Sequence, residues 1–362
     1  MHAEGELADL AAHFSSAPTE VFTTSPLYAA LCPAVAGDRV TLELLMHRRR
    51  GQQPSYLLFG AVHYLLLAGA EHPVRSFYSS LSVGDVAAAS GAGPVFLDFV
   101  HLYREELGAV VRTRLVQTNV ARRAVGLRFA LWAIGRTCPG PVHLVEVGAS
   151  AGIHLHVDKY RYVLGSRSFG VQDAKVTINS RWLGNGPPPD LDRIPVIASR
   201  TGVDLHPVDV TDPDQRRWLR ALVWPENGRD ADLLERALVT TAAAPPKILA
   251  GDAIDVCPQI GRRLPRGDTR VVFHAATRMH VPPERRVAFD HAIDAMGEHG
   301  PLYHVWQEPL TAPHDQANRV DQRAGLFFHG PNTDGVVALA QIDGHGTWLA
   351  PICRDASDRR RT

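Results

Sequence analysis

Apolar positions along the chain follow two rhythms. Up to about residue 138 they recur at helical spacing, with little strand character. Gly5 to Phe14 predicts a first helix. Ser25-Pro26 opens another, with Leu27, Ala30 and Leu31 at helical spacing. Asp38 can cap Val40 to Arg49, whose basic end suits a helix C-terminus. Gly51 and Pro54 break the chain, and Ser55 to Ala70 follows as an apolar core helix that contains His63. A short helix is expected over Val83 to Ser90, ended by Gly91 to Pro94. Val95 to Gly135 predicts one or two long helices. Gln117-Thr118-Asn119 interrupts them with side chains that can cap a helix break or touch a ligand.

Beyond residue 138 short apolar runs alternate with helical segments. Val142 to Val147 reads as a buried strand followed by a tight turn and a helix start, with Ile153 to Leu164 as an amphipathic segment. Phe169 to Trp182 reads as an extended insertion and Gly184 to Asp190 as a loop. A strand ends at Asp204. Asp212 to Val223 and Asp230 to Ala243 predict helices, parted by Trp224-Pro225-Glu226. Lys247 to Ala250, Arg270 to Thr277 and Leu302 to Pro309 are further strands, and Pro282-Pro283 opens a helix to about Glu298. Phe327 to Gly335, with His329 and Asn332, reads as a polar loop. Val336 to Asp343 and Thr347 to Ile352 form a hairpin around Gly344-His345-Gly346. The series predicts an α/β fold: a helical lobe over 1–138, then a Rossmann-like sheet with a terminal antiparallel hairpin over 139–355.

Composition narrows the function. The 362 residues are 45% hydrophobic and 21% charged, ordinary for a globular protein. Lys and Arg number 38 and Asp and Glu 38, which argues against a nucleic-acid partner. The basic tail, Arg354 to Arg361, reads as a solvated terminus. Cys32, Cys138, Cys257 and Cys353 are far apart and form no Cys-x-x-Cys pair, which fits idle thiols in a reducing cytoplasm. Met1 to Ala12 is polar and acidic, unlike a signal peptide, and Leu57 to Ala70 is too short to span a bilayer. A cytoplasmic enzyme with a small-molecule substrate and no membrane partner is expected; a protein partner or homo-oligomer is compatible.

The candidate chemistry centres on Glu146-Val147-Gly148-Ala149-Ser150-Ala151-Gly152. A carboxylate ends the strand, and glycines follow where the chain must bend. This stretch resembles the S-adenosylmethionine motif of class I methyltransferases, an acid followed by Gly-x-Gly-x-Gly, with Ser150 standing at the middle glycine. Glu146 to Tyr162, with His274 and its neighbours, also resembles an uncharacterised family of methyltransferase-like proteins common in actinomycetes. The resemblance implies an S-adenosylmethionine site held by Glu146, Gly148, Ala149, Ser150 and Gly152. It extends to Asp204 as a ribose carboxylate and to Asp252 with Ala253 beside the adenine. Asp204 or Asp209 can instead cap a helix, and Asp252 can be a turn residue.

In open α/β sheets ligands bind beyond the carboxyl ends of the strands. Methyl transfer needs in-line positioning of a nucleophile, and a base only where the acceptor must lose a proton. His274 is the first candidate base because imidazole titrates near neutrality. Glu308, Arg278 and His280 are the next, as anchors or electrostatic partners. His154 and His156, two apart, share no helix face, which disfavours a metal; solvated or locally capped roles are expected. No Asn-Pro-Pro-Tyr motif follows the fourth strand, so the same fold could serve as a scaffold without methyl transfer, or catalyse another displacement such as ring closure. A third reading is a serine hydrolase. Gly148 to Gly152 fits Gly-x-Ser-x-Gly with Ser150 as nucleophile, served by Asp255 or Glu308 and by His329 or His345. That fold puts its elbow after several strands, and here few precede it.

Overall fold

A computed structural model describes residues 2–82, 84–138, 140–309 and 323–352. The basic tail and Cys353 lie outside them. The first helices are α1 (His2–Glu20), α2 (Pro26–Gly37), α3 (Arg39–Leu45), α4 (Pro54–Leu67), α5 (Ala92–Leu102), α6 (Arg104–Thr113) and α7 (Ala124–Gly135). Five strands follow: β1 (Val142–Val147), β2 (Arg161–Leu164), β3 (Arg167–Gly170), β4 (Thr177–Trp182) and β5 (Ile197–Asp204). Then come α8 (Pro213–Ala221), α9 (Gly228–Ala243), β6 (Lys247–Ala250), α10 (Ala253–Arg263), β7 (Thr269–Ala275) and α11 (Arg286–Asp294). Strands β8 (Leu302–Pro309), β9 (Arg323–His329), β10 (Val337–Asp343) and β11 (Trp348–Pro351) complete the chain. No helix among the described residues is long and apolar enough to cross a membrane.

The described residues form two compact units. One comprises Met1–Thr118 and Asp212–Glu235; the other comprises Asn119–Thr211 and Arg236–Thr362. The reason is packing. Helix α8 buries Trp218 and Leu219 and belongs to the helical unit, whereas α7 covers strands β8 and β9.

The helical unit is held by an aromatic core. Tyr28 stacks on Phe59 with ring centroids 4.6 Å apart, and Phe22 meets Tyr28 edge-on. Gly60 lets α8 approach: a methyl there would lie 2.9 Å from Leu222 Cδ2. The predicted caps form. Ser25 accepts from the Tyr28 amide and Asp38 from the Thr41 amide. One expected helix does not form. A 3-10 turn, Ala89–Gly91, leads into α5, so Gly91 to Pro94 opens a helix rather than ending one. Pro94 falls in the first turn, where its missing N–H costs nothing. Val83 is outside the described residues.

His63 in α4 gives this unit a pH dependence. Its Nδ1 donates to the Ala221 carbonyl at 3.0 Å, and its Nε2 accepts from Ser80 at 2.8 Å. Burial pushes its pKa down to about 4. Above pH ~6.5 both folded and unfolded states hold a neutral ring. Below that the unfolded chain takes the proton first, so stability falls with pH until the folded ring also protonates near 4. The expected loss is about 3 kcal/mol between pH 7 and 4 from this group. Urea midpoints across that window check it: His63→Gln should flatten the profile, and an unchanged slope would contradict the assignment.

In the other unit the eleven described strands run β3-β2-β4-β11-β10-β9-β8-β7-β1-β5-β6. Pairs β6-β5, β5-β1, β1-β7 and β7-β8 are parallel. This is the half-order of a doubly wound sheet, with the strand order reversing between β1 and β7. Strands β9, β10 and β11 then form an antiparallel meander on β8, which contains the expected hairpin. Two expectations are corrected. Phe327, Phe328 and His329 belong to β9 rather than a polar loop, and Phe327 stacks on Trp306 at 5.6 Å. The segment after β1 is not an amphipathic helix. It is a seven-residue 3-10 turn, Ile153–Lys159, followed directly by β2. Ile153 to Val157 are all buried, which leaves no polar stripe for an amphipathic helix.

Candidate functional site

Strand β1 is fully buried and delivers the chain into a sharp turn. Gly148 and Gly152 adopt left-handed backbone, φ 74° and 69°. Ser150 does so too, at φ 48°, and so does Ala276 just past β7, at φ 50°. These two are the only non-glycine residues with positive φ among the described residues. Such conformations cost of order 1–3 kcal/mol each and concentrate at functional sites. Both lie where the strand order reverses, beyond the carboxyl ends of the two strands involved.

The turn is tightly bonded to its neighbours. Gly148 and Ala149 donate to the Val203 carbonyl at 2.8 and 3.1 Å, and Gly152 donates to Ala149 at 2.7 Å. Ser150 donates its amide to Asp204 Oδ2 at 2.7 Å, and His206 donates to Asp204 Oδ1 at 2.8 Å. Asp204 therefore clasps the turn to the end of β5. Asn119 Nδ2 donates to Ser150 Oγ at 2.9 Å. A methyl on Gly148 would sit 2.7 Å from Thr277 Cγ2, and one on Gly152 2.7 Å from Pro246 Cγ. Both glycines thus serve close packing between protein segments.

Glu146 turns toward the sheet face shared with Phe273, its register partner on β7. Its Oε1 bonds His154 Nδ1 at 2.7 Å, and His154 Nε2 reaches the Val120 carbonyl at 3.0 Å. Glu146 Oε2 is buried with no partner among the described residues. Burial raises the Glu146 pKa; His154 opposes the rise and the Asp204 charge adds to it. His154 and His156 are buried rather than solvated, because the 3-10 turn packs against α7, β1 and β5. Asp252 caps α10 through the Ile254 amide at 3.0 Å and pairs with Arg285 at 2.8 Å, with Ala253 as the first helical residue.

His274 alternates to the opposite sheet face, where it contacts Phe289 of α11 edge-on. It is fully buried, with Nδ1 on Glu308 Oε1 at 2.7 Å and Nε2 on His304 Nε2 at 3.0 Å. Glu308 Oε1 also accepts from the Thr277 and Arg278 amides, each at 3.0 Å, while its buried Oε2 has no partner among the described residues. Burial works against the carboxylate, but the His274 bond and charge and the two amides outweigh it and hold its pKa below the ordinary value. Burial and the neighbouring His274 push the His304 pKa well down. The Arg278 guanidinium is committed to Asp290, with bonds of 2.8 and 2.7 Å.

Two groups therefore emerge from the expected residues. Glu146, Ser150 and Asp204 gather at the β1 turn, and His274, Glu308 and the Arg278 backbone gather behind β7 and β8. Asp252 caps α10 one residue beyond Gly251, whose amide donates to the Asp204 carbonyl at 2.9 Å. Among the described residues no group of three or more His, Cys, Asp or Glu could hold a metal. Sequence reasoning overlooked Ala276, because an alanine bears no mark of left-handed backbone. It also missed the pairing of His154 with Glu146, whose signal is an acid and a histidine flanking a glycine turn.

A family model of uncharacterized proteins conserved in bacteria, DUF2332, matches residues 11–350. The chain belongs to this DUF2332 family. No curated protein matches it. The DUF2332 match spans the helical unit and nearly all of the sheet, so both are parts of one family architecture.

Proposed function

We propose that the chain is a methyltransferase-like enzyme that binds S-adenosylmethionine beyond the carboxyl ends of β1 and β5 and acts on a small molecule. The observation that carries the reading is the charge of the turn. Its amides at Gly148, Ala149, Ser150 and Gly152 are all taken by protein acceptors, so they cannot cradle a pyrophosphate. Its carboxylates, Glu146 and Asp204, lie close enough to couple electrostatically, and Glu146 keeps an unpartnered buried oxygen. A cationic nucleoside without phosphates fits that set of acceptors; a dinucleotide does not.

Asp204 would hold the ribose, and the acidic turn would favour the positive sulfonium. When bound, the cofactor supplies a methyl group already activated for displacement. Glu308 is the group at the strand end suited to orient an acceptor through a hydrogen bond to its unpartnered Oε2, since its carboxylate is kept ionised and anchored through Oε1 only. His274 has both ring nitrogens occupied and acts through Glu308 as a positioning residue. Fold-level analogy contributes to this reading as well, through the strand order.

Ser150 supports a second reading, because a nucleophile elbow also strains its serine and φ is 48° here. Against it, the described partner of Ser150 Oγ is Asn119 and not a histidine, and a 3-10 turn replaces the elbow helix. Failure of a fluorophosphonate probe to label Ser150 removes the hydrolase. Isothermal calorimetry tests the main reading. S-adenosylmethionine and S-adenosylhomocysteine should bind with saturable heats and NAD should give none. No heat from either adenosyl ligand at millimolar concentration would overturn it.

A further inference from the structure

The helical unit holds a basic recess outside the candidate site. Leu67, Pro213, Arg216, Arg217, Arg220 and Glu235 line a cavity of about 160 Å³. That is well above the ~10–15 Å³ needed for one water, so a small oxyanion has room. Arg216 and Arg220 stand one helical turn apart on α8, where like charges repel.

The nearby carboxylates leave this charge uncompensated. Asp214 is occupied by the Tyr64 hydroxyl, Arg114 and Arg217. Glu235 makes no ion pair with the arginines of the recess, and neither Arg216 nor Arg220 has an ion-pair partner among the described residues. Arg220 Nε is moreover buried without a hydrogen-bond partner. A buried donor left unmatched is costly and uncommon in folded proteins. The chain as a whole is neutral, so this excess is local.

From these observations we infer that the recess binds a phosphate group, free or as a small monoester. Guanidinium forks match phosphate oxygens through paired charge-assisted hydrogen bonds. Leu67 and Pro213 give an ester substituent an apolar wall. The site is independent of the adenosyl reading and stands or falls alone.

Phosphorus NMR of the full chain tests it, with inorganic phosphate and glycerol phosphate as probes at fixed ionic strength. Saturable broadening is expected for both. Tighter binding of the ester points to a monoester ligand and equal binding to free phosphate. Arg216→Gln with Arg220→Gln should weaken binding about tenfold or more, since hydrogen bonds to charged groups are lost. Arg229→Gln, which removes one positive charge at an exposed arginine outside the recess, should leave it unchanged. Glu235→Gln should tighten binding severalfold, a gain that misfolding cannot produce. Absence of saturation, equal binding by the double arginine variant, or no gain in Glu235→Gln would overturn the assignment.

Discussion

Replacing Gly148 with alanine should cost about 4 kcal/mol of stability. Two separate penalties combine. Alanine is strained at φ 74°, worth roughly 1–2 kcal/mol. Its methyl would also press on Thr277, with Cγ2 only 2.7 Å away and Oγ1 nearer still, which adds about 1–3 kcal/mol of overpacking. Thr277 cannot simply rotate clear, because its hydroxyl donates to the Val147 carbonyl at 3.2 Å. Chemical denaturation of Gly148→Ala, Thr277→Ala and the double variant separates the terms. The double variant should be more stable than Gly148→Ala alone, since only the backbone strain and the lost hydroxyl bond remain. Gly140→Ala, where a methyl meets nothing within 4 Å, should stay within about 0.5 kcal/mol of the parent. A neutral Gly148→Ala would mean that the β1 turn does not pack on the β7 turn as described.

Asp204→Ala should be nearly as damaging, by about 3 kcal/mol. It leaves the buried Ser150 amide and the partly buried His206 amide without their acceptor, at roughly 1–3 kcal/mol for a buried group. Asp204→Asn keeps the shape but turns one acceptor into a donor facing an amide, so it should not restore the parent. Because Ser150 is strained and held by this carboxylate, the turn is expected to relax in both variants. Affinity for S-adenosylhomocysteine should fall about 100-fold, equivalent to about 2.7 kcal/mol. Denaturation and calorimetry on the same samples check the two effects together. Parent-like stability with parent-like affinity would remove Asp204 from both roles.

Much of the α/β layout is legible in the sequence, for identifiable reasons. Strands β1, β7 and β8 are short apolar runs bounded by turn residues, and β8 coincides with the expected span Leu302 to Pro309. Ser25, Asp38 and Pro26 announce their helices because capping is a local matter of one side chain and one amide. Strand β9 is hidden because its apolar residues are followed at once by Gly330-Pro331-Asn332, which reads as loop. The 3-10 turn after Gly152 is hidden because alternating histidines imitate amphipathicity, while burial depends on distant packing.

The site is legible in its residues but not in its geometry. Glu146 and His274 both look like strand-end polar groups, yet they face opposite sides of the sheet. That separation follows from strand register, which tertiary pairing fixes and no local pattern reveals. Asp252 and Asp204 look equivalent in sequence, each near a strand end. In the fold one caps α10 and the other clasps the β1 turn. Small residues at 148–152 did signal a sharp bend, but the acceptor of the Ser150 amide, Asp204, lies 54 residues away in sequence.

The most direct test of the central claim is a crystal structure with S-adenosylhomocysteine. The ligand is expected beyond the ends of β1 and β5, its ribose against Asp204 and its amino acid portion toward the Ser150 turn. A ligand bound elsewhere, or a β1 turn that stays closed by protein side chains at saturating S-adenosylhomocysteine, would contradict the account.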